Sequence, residues 1–154
     1  MVRLTLDRDT ILKRINGIQN EVNELEKISK IPFEEFKEGV GFKLAQFHLH
    51  RALEGIFHIS THILSRIPGG QVSEYKEMAI KLGEYGVVDK SFANTTLKNM
   101  AGYRNRIVHF YAEILPEEIY RIINDNLGDF DIFLTGVKGV LENPERFGIK
   151  SSKI

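Results

Sequence analysis

Residues 33–70, FEEFKEGVGFKLAQFHLHRALEGIFHISTHILSRIPGG, establish the fold class of this protein. Apolar residues recur there every three or four positions, the spacing that places side chains on one face of a helix. The pattern runs from Phe33 until Pro68-Gly-Gly stops it, which predicts one helix of more than thirty residues. Gly39 and Gly41 weaken its first third, so we expect a bend there. Its several apolar faces indicate a partner chain as well as an intramolecular core.

The remainder of the chain shows the same helical spacing, and no strand pattern is found. Asp7 or Asp9 is a candidate cap for a first helix, because acidic side chains favour helix N-termini. Further helices are predicted over 74–82, from Asp89 or Ser91 through Phe110, and from Pro116 to Asn143. We therefore predict an all-α fold, an up-and-down bundle of about five helices joined by short loops.

The length fits a single domain, because most domains contain roughly 100–150 residues. We expect one helical domain over 1–154, with residues from about 145 to 154 forming a loose C-terminal tail. No stretch of about 18 uncharged apolar residues occurs, so no membrane segment is expected. The N-terminus also lacks the apolar core of a signal peptide, which favours a cytoplasmic location.

Charge and cysteine usage exclude several classes of function. The chain has 21 Lys plus Arg and 21 Asp plus Glu, so its formal net charge is zero. A long polybasic surface is therefore not expected, and any attraction for nucleic acid has to come from a local patch. Cysteine is absent, which excludes disulfides, Cys-ligated zinc, iron–sulfur clusters and a thiol nucleophile, and suits a reducing compartment.

Four of the five histidines lie in the predicted long helix. His58 and His62 are four residues apart and face the same way, a spacing that two metal ligands can adopt. Two ligands do not make a site, and the intervening sequence HISTH lacks the glutamate of zincins. We therefore favour a polar strip that faces a loop or a partner, and expect no metal. His48 and His50 point to opposite sides, so each is expected at the surface or in an interface.

Residues 103–111, YRNRIVHFY, concentrate the reactive side chains of the chain. At 100° per residue, Asn105 and His109 lie about 40° apart, so the amide is able to orient the imidazole. Arg104 and His109 lie about 140° apart, so in one intact helix they cannot converge on one small group. Two copies related by a two-fold axis, or fraying near His109, would bring them together. The apolar anchors of this segment are expected to be Ile107, Val108 and Phe110.

This combination of side chains suits phosphodiester chemistry. Arginine presents a planar fork of charged donors to a phosphate. Histidine titrates near neutral pH and can both take and give protons. RNA supplies its own nucleophile in the 2′-hydroxyl, so no metal is compulsory. From spacing alone, the competing interpretation is a helix-capping or salt-bridge cluster.

Residues 104–111 match the R-N-x-x-x-H-x-Y form of the HEPN R-x(4–6)-H motif. Upstream, residues 51–64, RALEGIFHISTHIL, and residues 72–79, VSEYKEMA, resemble segments of the HepT family. That family is the HEPN toxin half of HepT–MntA toxin–antitoxin pairs. The resemblance covers nearly the whole chain, with the helices in the same order.

The resemblance implies a homodimeric, metal-independent endoribonuclease toxin that needs no cofactor. In such a dimer the Arg and His of both protomers line a cleft at the interface. Carried over, Arg104 holds the scissile phosphate of the RNA substrate, His109 is the general base or acid, and Asn105 positions the histidine or the phosphate. The expected product is a 2′,3′-cyclic phosphate or its hydrolysis product.

The resemblance also assigns a role to Tyr111. The partner would be an MntA-like nucleotidyltransferase antitoxin that adenylylates this tyrosine from ATP, adding bulk and negative charge where RNA enters. The alternative is that Tyr111 merely packs beside the motif. Arg106 is a candidate for binding RNA or a carboxylate, Lys98 for attracting RNA, and Glu54 for pairing with Arg104.

Two other functions stay open. In the first, the chain is a non-catalytic helical partner of a nucleotidyltransferase and binds nucleotide or the partner protein through the same motif. In the second, it is a small helical adaptor without nucleotide chemistry.

Overall fold

The computed structural model describes residues 4–150, which form an all-α bundle. Within this range, no helix is both long enough and apolar enough to cross a bilayer. The helices are α1 (Arg8–Ser29), α2 (Phe33–Glu38), α3 (Gly41–Arg66), α4 (Tyr75–Glu84), α5 (Lys90–Phe92), α6 (Lys98–His109), α7 (Pro116–Asp125) and α8 (Gly128–Glu142).

Helices α1 and α3 pack against each other more extensively than any other two elements. α1 is capped by Asp7, whose carboxylate accepts a hydrogen bond from the Thr10 backbone N–H at 3.1 Å, as predicted for a helix cap. Its buried face is the apolar stripe of the sequence: Ile11, Ile15, Ile18, Val22, Leu25 and Ile28. A Cβ at Gly55 of α3 would lie only 2.6 Å from Ile18 Cγ1. Glycine at that position therefore allows the two helices to approach closely.

The long helix predicted over 33–67 is wrong, because two helices occupy this segment. α2 ends at Glu38, and the extended backbone of Gly39 separates it from α3. A Cβ at Gly39 would lie 2.9 Å from the Glu35 carbonyl oxygen, which explains why glycine stands at the break. The expected bend is therefore a complete break. It lets Phe36 turn into the core, where its ring lies 5.0 Å from that of Tyr120.

The fifth predicted helix is also divided, because α7 ends at Asp125 and α8 begins at Gly128. The prediction of a loose C-terminal tail is wrong for residues 145–150. Residues Pro144–Phe147 form a 3-10 turn, Ile149 is fully buried, and the Lys150 N–H donates to the Leu4 carbonyl. Burial of Ile149 holds this segment against the core. Residues 151–154 lie outside the described part of the chain.

α5 and α6 are joined without interruption by a π-helical turn, Ala93–Leu97. Asp89 caps the start of α5 by accepting from the Ser91 N–H at 3.1 Å. Such π turns are rare and often lie near functional sites. α6 continues through His109 and ends where Phe110 leaves helical geometry, at φ −134° and ψ 35°. Residues 104–109 of the motif therefore lie on the last two turns of an intact helix, and Tyr111 lies beyond its end.

Candidate active site

Arg104 is held in place by three neighbours. Its Nε donates to Glu54 Oε1 on α3, and its Nη1 donates to Asn105 Oδ1 at 3.2 Å. The guanidinium lies 4.6 Å from the ring centroid of Tyr75 on α4, close enough for a cation–π contact. The side chain is 22% exposed. Arg104 is therefore positioned by its own chain, with Nη2 free of hydrogen bonds to residues 4–150.

Tyr75 is itself fixed, because its ring stacks on Phe57 with centroids 4.7 Å apart and planes inclined by 12°. Burial, reinforced by the negative charge of Glu54, raises the pKa of the Tyr75 hydroxyl above its ordinary value. The ring therefore stays neutral near pH 7 and offers Arg104 an uncharged π face.

Glu54 connects Arg104 to two histidines of the same helix. Its Oε1 lies 3.7 Å from His50 Nε2, and its Oε2 lies 3.5 Å from His58 Nε2. His58 Nδ1 accepts a hydrogen bond from Arg14 of α1 at 2.9 Å. Burial and the positive charge of Arg14 lower the pKa of His58, against the raising effect of Glu54. Glu54 thus has Arg104 as its permanently charged partner.

His109 is in the opposite situation. It is exposed at the end of α6, and no hydrogen bond joins its ring to any residue of the described range 4–150. Its ring meets the Phe110 ring edge-on, with centroids 6.5 Å apart. The expected Asn105–His109 contact is not formed, and the Asn105 oxygen accepts a hydrogen bond from Arg104. The imidazole is therefore open to solvent and to any incoming molecule.

Exposed apolar residues flank His109 in the sequence. We call Val108, Phe110, Tyr111 and Leu115, which are 36%, 54%, 70% and 57% exposed, the apolar patch. The prediction that Val108 and Phe110 anchor the segment is wrong, since Ile107 alone of the three expected anchors is buried, at 8% exposed. Helical spacing stops being a guide at Phe110, because the backbone leaves the helix at that residue.

The remaining predicted site residues lie apart from Arg104. Arg106 pairs with Glu118 of α7, and its Nη1 lies 2.6 Å from Glu118 Oε1. Of the two predicted partners of Arg106, RNA or a carboxylate, the structure therefore shows the carboxylate. This pairing lowers the pKa of Glu118 and raises that of Arg106. Glu118 also accepts from the Leu115 N–H, so the pair fixes the start of α7. Lys98 is exposed at the first residue of α6.

His50 and His58 share Glu54, whereas the other two histidines of α3 have separate partners. His62 Nε2 accepts from the Asp7 backbone N–H at 3.0 Å, whereas His58 faces Arg14 and Glu54. His48 Nδ1 lies 2.6 Å from Glu21 Oε2 on α1. In residues 4–150, no cluster of three or more His, Asp or Glu side chains has the arrangement of a metal site.

Sequence reasoning missed Tyr75 and Arg14, which support the site from α4 and α1. Neither residue carries a local signal, because both act through contacts between distant parts of the chain. Helical spacing does offer one clue to His50 and His58, which lie one turn on either side of Glu54 and therefore share its face.

The comparison with protein families makes the assignment. The model of the family described as Ribonuclease HepT-like matches residues 18–137 of this chain. The chain belongs to the Ribonuclease HepT-like family. A curated relative, the tRNA nuclease HepT of Aphanizomenon flos-aquae (strain 2012/KM1/D3), is 24% identical over 129 residues, which cover 83% of this chain and 87% of the relative.

Solved structures share the fold of this HepT-like chain. The tri-AMPylated HEPN toxin of Shewanella oneidensis, determined in complex with the MNT antitoxin, superposes with a TM-score of 0.77 at 22% identity, covering 85% of this chain and 98% of the toxin. The cytosolic protein YutE of Bacillus subtilis, described as of unknown function, gives a TM-score of 0.79 at 19% identity, covering 92% and 94%. At these identities the likeness concerns the fold.

Proposed function

We propose that this HepT-like chain is the toxin of a toxin–antitoxin pair and an endoribonuclease that acts without a metal. The observation that carries the proposal is the pairing, on two turns of α6, of a positioned guanidinium at Arg104 with a solvent-open imidazole at His109. The name of the Aphanizomenon relative, a tRNA nuclease, supports RNA as the substrate class.

The proposed active unit is a homodimer. Arg104 and His109 lie about 140° apart around α6 and about 7.5 Å apart along its axis, so one chain cannot close both on a single phosphate. Val108, Phe110 and Leu115 of the exposed apolar patch offer a surface that a second copy would cover. A two-fold axis near this patch would bring two arginines and two histidines to one cleft.

In the proposed reaction, Arg104 binds the scissile phosphate through its Nη2 hydrogens and stabilises the charge that develops on its oxygens. One His109 takes the proton of the 2′-hydroxyl as its oxygen bonds to phosphorus. The bond from phosphorus to the 5′-oxygen breaks, and the leaving oxygen takes a proton from the second His109. The products are a 2′,3′-cyclic phosphate and a 5′-hydroxyl.

Cleavage of RNA in the presence of EDTA tests this function. We expect wild type to cleave RNA with excess EDTA, and His109→Ala and Arg104→Ala to be slower by about 10² or more. Lys138→Ala on α8 serves as the control for handling and folding. Wild type that leaves RNA intact, or variants as active as wild type, would overturn the proposal.

We further propose that an MntA-like nucleotidyltransferase silences the toxin by adenylylating Tyr111. Tyr111 is 70% exposed at the start of the 3-10 turn that follows α6, so its hydroxyl is accessible to a second active site. The added AMP would place negative charge beside His109, where the RNA phosphates have to enter.

Intact-mass analysis after incubation with the antitoxin and ATP tests the modification. Addition of AMP is expected on wild type and is expected to be absent from Tyr111→Phe, with a matching loss of RNA cleavage in wild type alone. AMP on Tyr111→Phe, or full cleavage by the modified wild type, would contradict the assignment.

A further inference from the structure

A groove of about 630 Å³ lies between α1 and α3, beside the Arg104 site. Glu54 joins the two features, because its carboxylate lines the groove and also accepts the Arg104 hydrogen bond. The lining residues on α1 run from Thr10 to Glu21, which corresponds to about 16 Å along the helix. The groove is therefore elongated along α1.

The charge of the groove is positive, although the chain as a whole has no net charge. Lys13, Arg14 and Arg51 line it together with the carboxylates Glu21 and Glu54. With Arg104 at its edge, four permanent cations face two carboxylates, which leaves +2 before His50 or His58 is protonated. Such local excess attracts polyanions.

The two carboxylates of the groove are already engaged. Glu21 bonds to Arg51 Nε at 2.8 Å and to His48 Nδ1 at 2.6 Å, and Glu54 bonds to Arg104. By contrast, no carboxylate of residues 4–150 lies within 4 Å of the Lys13 or Arg14 charged nitrogens. Arg14 donates to the neutral acceptor His58 instead. These two cations are therefore available to an incoming anion.

The open shape of the groove depends on a glycine of α1. Gly17 lies in the middle of α1, and a Cβ built there would meet nothing within 4 Å. The side of α1 that faces the groove is therefore open between Arg14 and Glu21. Glycine within a helix is less favourable than alanine, so helix formation does not account for glycine at this position.

We propose that this groove binds the sugar–phosphate backbone of single-stranded RNA next to the phosphate held by Arg104. The inference rests on the proposed ribonuclease function and extends it to the path of the substrate. Among the described residues that line the groove, none is Phe, Tyr or Trp, so the imidazoles of His50 and His58 are the aromatic rings that it offers to bases. The groove thus reads phosphates rather than sequence.

Binding measured without cleavage tests the groove. In a His109→Ala background, the fluorescence anisotropy of an end-labelled single-stranded RNA reports affinity whether or not the native chain cuts RNA. Lys13→Ala/Arg14→Ala is expected to weaken binding roughly tenfold at low salt. The slope of log K against log salt is expected to fall by about 0.7 for each phosphate that the variant no longer neutralises. The control Arg121→Ala/Lys138→Ala removes the same charge from α7 and α8 and is expected to bind as the His109→Ala parent does.

A second variant separates groove occupancy from the removal of cations. Gly17→Glu adds bulk and negative charge inside the groove while placing a better helix former in α1, and we expect it to abolish the binding. Gly139→Glu adds the same side chain to α8, at another position where a Cβ meets nothing within 4 Å, and is expected to bind RNA unchanged. Circular dichroism confirms that each variant is folded.

The outcomes separate this inference from the ribonuclease function. RNA binding unchanged in both groove variants overturns the groove, even if the wild-type chain cleaves RNA and His109→Ala does not. If the groove variants lose antitoxin binding but still bind RNA, the groove is a protein interface, and this result also overturns the proposal. Weakened RNA binding in both groove variants, with both controls unaffected, supports it, and the EDTA cleavage assay judges the function separately.

Discussion

The two ends of the motif on α6 have opposite surroundings. Arg104 is 22% exposed and is held by Glu54, Asn105 and Tyr75. His109, five residues later, is exposed and hydrogen-bonded to nothing in residues 4–150, with exposed apolar side chains around it. A single chain thus provides partners for the Arg104 guanidinium and, within residues 4–150, provides no hydrogen-bond partner for the His109 imidazole.

This contrast indicates which part of the site each subunit would provide. A guanidinium positioned before substrate arrives needs little rearrangement to stabilise charge in a transition state. An imidazole among uncovered apolar side chains calls for a neighbour that buries them. The proposed second copy would supply that neighbour.

The largest expected effect falls on association. Phe110→Asp places a charge in the apolar patch, and burying it against a second copy is costly. We expect the dissociation constant of the homodimer to rise at least tenfold, measured by sedimentation or by light scattering over a concentration series. Ile132→Asp is the matched control, because Ile132 is 51% exposed on α8. Equal dimerisation of wild type and Phe110→Asp would show that the patch lies outside the interface.

Stability should also distinguish the two ends of the motif. Arg104→Ala leaves the half-buried Glu54 without its permanent cation, which we expect to lower the free energy of unfolding by about 1–3 kcal/mol. His109→Ala removes an exposed side chain and is expected to change it by no more than about 0.5 kcal/mol. Urea unfolding of both variants measures the difference. Equal losses would mean that the neighbours of Arg104 contribute little to stability.

The smallest expected effect is a pH dependence at the Arg104 end. The pKa of His58 is lower in the folded chain than its ordinary value of 6.5, through burial and Arg14. Just below pH 6.5, the unfolded chain therefore binds more protons at His58 than the folded chain does. As far as His58 is concerned, the free energy of unfolding is highest above pH 6.5 and declines as the pH falls below that value.

We expect His58→Gln to reduce the loss of unfolding free energy between about pH 7.5 and pH 5.5. His109→Ala is the comparison variant, and it is expected to keep the wild-type loss. Urea unfolding at the two pH values provides the measurement. A pH dependence unchanged by His58→Gln would exclude His58 as its source.

Periodicity was sufficient to predict the all-α class, because apolar spacing requires only local geometry. The buried stripe of α1 followed from the same reasoning, and Asp7 is one of the two caps that capping preference proposed for this helix. The break at Gly39 was anticipated only as a bend, because the chain gains by turning Phe36 into a core that the local sequence does not describe. Ile149 is buried for the same reason, since its partners are distant in sequence.

Sequence reasoning alone was enough to say which side chains share the motif and how far apart they lie around α6. It also named Glu54 as a candidate partner of Arg104, and the structure forms that pair. Tertiary packing was needed to place Tyr75 against the guanidinium, to bring Arg14 to His58, and to leave Phe110 uncovered. The physical reason is that helical spacing fixes which residues share a face, whereas the burial and charge of that face depend on what the rest of the chain places against it.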